Sequence, residues 1–283
     1  MPLARTGDLV AAAAAAGVGV GAFNIITLEH AEAVALGAED VGVPVILQIS
    51  QNAVKFHGSR LFPIAAAALA VARSSSADIA VHLDHVVDDE LLRQTAEAEL
   101  SSVMYDAGAL PYDINVAHTR NAVAWAHDNG LWLEAELGYV GGKPTQPQSA
   151  HTAGVRTDPL EAVQFVRATE VDALAVAVGS SHAMRSRTAS IDTGLVSALR
   201  DALPVPLVLH GSSGVPDDML RAAIAAGMTK VNVGTALSIA MTGAVRKSLG
   251  ADADLVDPRG YLVAARHAVA ATVRNLLAVI TSA

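Results

Sequence analysis

The stretch VHLDHV, residues 81–86, places His82, Asp84 and His85 at the end of the apolar run Ile79-Ala80-Val81. Ionisable groups in a low dielectric are costly unless they are paired or bind a cation, so this stretch is either a satisfied polar cluster or a site. Two more histidines close similar runs: His182 follows LAVAVGSS, and His210 follows PLVL. Three imidazoles with a fourth position open are the ligand set of a catalytic zinc, and His85, His182 and His210 supply them. Asp84, beside one of these ligands, suits proton transfer next to the metal. His82 falls on the same strand face as Asp84, one layer deeper, and reads as a core histidine. His30, His57, His118, His127 and His267 fall in helical or loop patterns and read as surface residues.

A second kind of chemistry follows later in the chain. LHGSSGVPDD (209–218) and VNVGTAL (231–237) each run from an apolar stretch into a helical one. The backbone amides of Gly211, Ser212, Ser213, Gly234 and Thr235 would face an anion, because helix N-termini favour negative charge. Each motif alone is also what a tight turn requires.

Something must bring these residues together. Eight short apolar runs recur, each followed by a helical pattern: GAFNI, PVILQIS, IAVHLD, SVMYD, WLEAEL, ALAVAVG, PLVLHG and KVNVG. Pro159 and Pro216 mark first turns, and Gly130 and Gly227 mark helix ends. The alternation predicts a parallel sheet covered by helices, and eight units in one domain over residues 1–283 predict a (β/α)8 barrel. The polar residues closing the runs are Asn24, Ser50, Asp84, Asp106, Glu136, His182, His210 and Asn232. In a parallel barrel they surround one mouth, where barrel enzymes carry their chemistry, and phosphate commonly binds after strands seven and eight.

Composition narrows the partners. The 283 residues are 52% hydrophobic with a formal net charge of -9, which argues against a nucleic-acid partner. Aromatic content of 4% argues against a base-stacking platform. Without cysteine there is neither a disulfide framework nor a thiolate metal site. The uncharged run from Leu9 to Phe23 is too short to span a membrane and reads as a helix from about Asp8 that gives way to a strand. The expectation is a cytoplasmic protein with no membrane partner.

GAFN, HLDH, EAELG, TDP, LAVAVGSSH, LVLHGSSGVPDD and KVNVGT, in this order along essentially the whole chain, resemble the class II (metal-dependent) ketose-bisphosphate aldolases, the family of fructose-1,6- and tagatose-1,6-bisphosphate aldolases. The resemblance implies Asp84 as catalytic proton donor and zinc on His85, His182 and His210, with a monovalent cation at the phosphate site. Gly211, Ser212 and Ser213, with Asn232, Val233, Gly234 and Thr235, would hold dihydroxyacetone phosphate. Asn24, Ser50 and Ala183 would line the substrate site, and Asp106 and Glu136 match a second, buried metal position. The implied activity is reversible cleavage of a ketose phosphate in carbohydrate metabolism and glycolysis, through a zinc-stabilised enediolate, by a homodimer or homotetramer. No Schiff-base lysine is needed: of the four lysines only Lys230 lies on an expected strand, at the wrong end for catalysis.

The chain departs from the family pattern in three places. The loop GGKPTQPQSAHTAG (141–154) reads as a lid without the usual carboxylate, leaving His151 as a candidate carrier of the C1 proton, with Glu134 or water as the alternative. Ala183 stands where glycine usually follows the histidine, and Arg185 and Arg187 after it could clamp an anionic substrate tail. The C-terminus lacks the usual Gly-Ser ending but keeps Arg274 near the family's contact to a second phosphate. Two other readings use the same residues. One is a zinc-dependent hydrolase with Asp84 activating water, which leaves the phosphate cradle unexplained; the other is a non-catalytic sugar-phosphate-binding barrel.

Overall fold

The computed structural model of the chain describes residues 3–138 and 156–282. Eight parallel strands close into a barrel in chain order: β1 (Val20–Asn24), β2 (Val45–Ser50), β3 (Ile79–Val86), β4 (Ser102–Tyr105), β5 (Trp132–Leu137), β6 (Ala173–Val176), β7 (Leu207–Leu209) and β8 (Met228–Val233). The (β/α)8 expectation holds. Around the barrel run α2 (Leu28–Val41), α3 (Gln51–Phe56), α4 (Leu61–Ser74), α5 (Asp89–Glu97), α6 (Tyr112–Asp128), α7 (Pro159–Thr169), α8 (Thr193–Ala202), α9 (Asp217–Ala226), α10 (Thr235–Ala251) and α11 (Pro258–Ile280). The first helix, α1 (Thr6–Ala16), lies under the barrel and packs Val10 and Ala13 against Val20, Ala22, Ile46 and Ala80.

Strand alternation explains the two faces. Leu47 and Ile49 of β2, Val81 and Leu83 of β3, and Leu133 of β5 belong to the large apolar core shared with the helices. The intervening residues fill the barrel, and their character changes with height. Ala22, Ile46, Ala80 and Trp132 form an apolar floor, while Gln48, His82, Ser102, Glu134 and Lys230 above it are fully buried polar groups. Asn24, Asp84, Glu136, His210 and Asn232 come next, toward the strands' C-terminal ends. Barrel interiors are packed solid, so every buried polar group must find its partner inside.

Helix starts are capped where the sequence offers a carboxylate. Asp88, Asp158, Asp192 and Asp257 each accept a hydrogen bond from the first turn of α5, α7, α8 and α11, worth about 1 kcal/mol apiece. Pro159 opens α7 as expected, whereas Pro216 stands one residue before α9 as its N-cap. Among the described residues α11 is the one helix with the length and apolarity to cross a bilayer. Its apolar residues Val269, Val273, Leu277 and Ile280 are buried in the protein core, a use for hydrophobicity that needs no membrane.

Two expectations are corrected here. β6 ends at Val176, so His182 is carried by the loop beyond the strand rather than by its tip. His30 is buried, not on the surface; its Nδ1 lies 3.1 Å from the Thr27 hydroxyl at the start of α2, and burial lowers its pKa.

Candidate active site

Regular alternation would send Asp84 and His85 to opposite faces of β3. The pairing with β4 slips between Leu83 and Val86, and His85 has φ 52°. Left-handed backbone at a histidine costs on the order of 1–3 kcal/mol and persists where the surroundings hold it. The irregularity re-aims one side chain, so a carboxylate and an imidazole from consecutive residues reach the same mouth. The His85 Nδ1–H donates to Asp106 Oδ2 at 2.9 Å, which leaves Nε2 bare.

The three imidazoles converge. Ring centroids are 5.2 Å apart for His85 and His182, 4.8 Å for His85 and His210, and 5.8 Å for His182 and His210. Their ligand atoms lie within 4.8 Å of one another, as do those of His85, Asp106 and Glu136. His210 is fully buried at the end of β7; its Nε2–H donates to Glu134 Oε1 at 2.8 Å, and its Nδ1 stands 3.2 Å from Glu136 Oε2. Burial alone would lower the His210 pKa, but Glu134 and Glu136 outweigh it and push it up to about 9. The same two carboxylates, Glu134 and Glu136, would favour a metal cation in the proton's place. Carboxylates on the far nitrogens of His85 and His210 orient metal-binding imidazoles in this way. The donor set therefore fits a divalent metal at the three histidines, and the carboxylate pair Asp106 and Glu136 fits a deeper position sharing His85.

Asp84 lies beside this cluster and is buried. Burial alone would raise its pKa, yet His85, Lys230 and His210 outweigh that and hold the carboxyl well below the usual carboxylate range. Its Oδ2 accepts from Asn24 Nδ2 at 2.9 Å, whereas Oδ1 has no hydrogen-bond partner among the described residues. An ionised carboxylate with one free oxygen is equipped to take a proton from a ligand.

Asn24, Ser50, Asp84, His85, Ser181, His182, Ala183, Gly211, Ser213, Asn232, Gly234 and Thr235 line one pocket of about 140 Å³. Its far wall is the anion cradle. Gly211 has φ 69°, and any Cβ there would come within 2.6 Å of the Ser181 carbonyl oxygen, so the loops after β6 and β7 meet backbone to backbone. The Ala236 N–H, in the first turn of α10, donates to Ser213 Oγ at 3.1 Å, joining the two halves of the cradle. Among the described residues buried Asn232 has no hydrogen-bond partner for either side-chain atom, and a buried amide left open in this way marks a place for a ligand. The Ser50 hydroxyl accepts the Ala53 N–H and caps α3 while facing the same pocket.

Other expected residues fall elsewhere. Ser212 turns its hydroxyl to the Leu209 carbonyl, and Val233 packs into the outer core. Arg274 does not join the site: it pairs with Asp40 at the end of α2 that leads toward the start of β2, at the opposite end of the barrel. Arg187 donates to the Val215 carbonyl and to Asp217, so it staples the loop instead of offering a clamp. Arg185 is exposed and, among the described residues, forms no ion pair. Glu134 has both oxygens engaged, by His210 and by Lys230, which removes it as a proton carrier. His151 and the loop 141–154 lie outside the described residues. A larger cavity of about 360 Å³ opens at the barrel's other end, but Arg200 is the sole ionisable residue in its lining, and convergent polar groups rather than volume mark a site.

His82 is the core histidine expected. Its Nδ1–H donates to Ser102 Oγ at 2.8 Å, and Ser102 donates on to Thr6 of α1. Burial, reinforced by Lys230, lowers its pKa from 6.5 to about 3. The unfolded chain takes up this proton below about pH 6.5 and the folded chain does not, so His82 contributes stability above that pH and loses it on acidification toward 3. Denaturation of the parent and of His82→Met across that window checks this: the parent's advantage shrinks with falling pH by up to about 1.4 kcal/mol per unit. A gap independent of pH would show the imidazole charging inside the barrel.

Sequence reasoning missed two residues. Gln48 and Lys230 reach the site from below, and nothing in the pattern of β2 marks Gln48. The signal that could have found Lys230 was the cost of a charge in the middle of a buried strand.

The comparisons with known proteins point one way. The model of the family described as fructose-bisphosphate aldolase class-II matches residues 4–283. A fructose-bisphosphate aldolase of Geobacillus stearothermophilus is 36% identical over 255 residues, 90% of this chain and 88% of that protein. The solved structure of the YdjI aldolase of Escherichia coli superposes with a TM-score of 0.83 at 28% identity, covering 99% of this chain and 97% of the other. A fructose-bisphosphate aldolase structure from Campylobacter jejuni gives a TM-score of 0.82 at 19% identity, over 98% and 95% of the two chains, a likeness of fold.

Proposed function

The chain belongs to the class-II fructose-bisphosphate aldolase family, and from that premise we propose that its barrel mouth cleaves a ketose phosphate reversibly into dihydroxyacetone phosphate and an aldehyde. It is an aldolase, a carbon–carbon lyase. The observation that carries the substrate reading is one pocket lined by His85, His182, an ionised carboxylate and an open anion cradle, with His210 close enough to complete a three-imidazole metal set.

His85, His182 and His210 would hold the metal, which we take to be zinc. When bound, it supplies Lewis acidity to the ketose carbonyl and its neighbouring hydroxyl oxygen. Asp84 removes the C4 hydroxyl proton as C3–C4 breaks and C4 becomes a carbonyl. The electron pair of the bond stays on the three-carbon phosphate half, which takes a proton at that carbon from water to give dihydroxyacetone phosphate. In condensation the order reverses, with Asp84 returning its proton to the aldehyde oxygen. The N–H of Asn24 holds the carboxylate in place for both directions. The amides of Gly211 to Ser213 and of Gly234 and Thr235 fix the phosphate, with the α10 N-terminus adding favourable field. Asn232 offers its open amide to the dihydroxyacetone oxygens.

Binding of dihydroxyacetone phosphate tests the cradle. Ser213→Ala and Asn232→Ala should each weaken it by about 1–3 kcal/mol, the range for hydrogen bonds to a charged ligand, as read by calorimetry on metal-loaded protein. Parental affinity in both variants would remove the phosphate reading.

A further inference from the structure

Lys230 is fully buried within β8, far from any solvent. A buried ammonium carries a desolvation penalty of several kcal/mol, and an apolar residue of similar volume often replaces such an ion pair without loss of stability. Its contacts indicate a different use. Nζ donates to Glu134 Oε2 at 2.8 Å and to Gln48 Oε1 at 2.6 Å. Each acceptor passes the constraint onward. The other oxygen of Glu134 takes the His210 Nε2–H. The amide of Gln48, its oxygen held down by Lys230, presents Nε2 to Asn24 Oδ1 at 3.4 Å, and Asn24 in turn presents Nδ2 to Asp84 Oδ2 at 2.9 Å.

The direction of these bonds matters more than their number. An ammonium can only donate, so it forces Gln48 to accept with its oxygen. That choice sets which way both amides face and leaves Asn24 no option but to offer an N–H to Asp84. On the other arm the ammonium balances Glu134 as a carboxylate, which anchors the His210 Nε2–H and leaves Nδ1 as the nitrogen that faces away from Glu134. We propose that Lys230 is a positioning residue that sets hydrogen-bond polarity on two arms at once, one ending on the metal-binding face of His210 and the other on the proton-transferring Asp84. The inference rests on the aldolase reading above. It adds a single anchor, one layer beneath the mouth, that aligns metal ligand and base across the barrel from β7 to β3.

The test compares Lys230→Met, which keeps length and removes every donor, with Gln48→Leu, which cuts only the Asp84 arm. Cobalt affinity and the visible spectrum of the cobalt-loaded protein read the metal arm without catalysis, and kcat at saturating metal reads the other. Lys230→Met should lose about 10–100-fold in cobalt affinity, the usual effect of disturbing a ligand's supporting partner, with a changed spectrum. It should also lose about 10-fold or more in kcat from misalignment, with KM changed less than kcat because no bond of Lys230 reaches the cradle residues Ser213, Gly234 and Thr235. Gln48→Leu should lower kcat alone. A folded Lys230→Met with parental cobalt affinity and kcat overturns the proposal. If that variant fails to fold, Gln48→Leu decides, and parental kcat there overturns it. A parent that cleaves no ketose phosphate would defeat the aldolase reading instead, a result the cobalt measurements keep separate.

Discussion

Asp84→Asn lowers kcat by about 10²–10⁴, the span that a positioned acid–base group contributes, and leaves metal content unchanged. The substitution keeps the shape and the acceptor that Asn24 addresses at 2.9 Å, so the pocket does not rearrange. What it removes is the ionised oxygen that the surrounding cations hold ready. With the metal proposed to sit on His85, His182 and His210, loss of the carboxylate should not unload it, and affinity for dihydroxyacetone phosphate should stay near parental because the cradle lies on the opposite wall. Steady-state rates beside metal analysis of the same preparation decide the point. An Asn variant that turns over normally makes Asp84 a structural residue.

His210→Ala should take cleavage to background, because it removes one of the three proposed metal ligands. The ring is fully buried between Glu134 and Glu136, so its loss opens a small polar cavity and leaves one carboxylate oxygen of Glu134 without its partner. That costs about 1–3 kcal/mol, a tolerable sum for a barrel of this size, since Lys230 still neutralises Glu134. The variant should therefore fold, as thermal unfolding will show, and should retain far less than one zinc per chain after dialysis. Full metal occupancy with activity intact would place the metal elsewhere.

Much of this was legible before the fold was known, for identifiable reasons. Apolar runs that end in a polar residue report both a buried strand and the tip that faces the mouth, so Asn24, Asp84, His210 and Asn232 stand out together. The glycine-rich turns after β7 and β8 announced themselves because close backbone approach, as at Gly211, admits no side chain. Other features had no local signature. Alternation says that Asp84 and His85 diverge; only the slip of β3 against β4 brings them together, and register slips are set by the neighbour strand. His182 stands on a loop whose path depends on contacts with β7's turn. Arg274 and Arg187 were judged by position along the chain, but a long side chain goes to the nearest carboxylate, here Asp40 and Asp217. His30 is polar on a helix, which resembles a surface residue until α2 turns that face inward. Lys230 and Gln48 became intelligible only once opposing strands set them within reach of each other across the barrel.

The central claim is that this mouth breaks a carbon–carbon bond under metal control. It is tested most directly by product analysis of the metal-loaded parent supplied with ketose 1,6-bisphosphates, before and after exhaustive chelation. Dihydroxyacetone phosphate and an aldehyde should appear in equal amounts, with no product after chelation and recovery on adding zinc or cobalt. Release of inorganic phosphate with the carbon chain intact, or undiminished cleavage in the chelated protein, would contradict it.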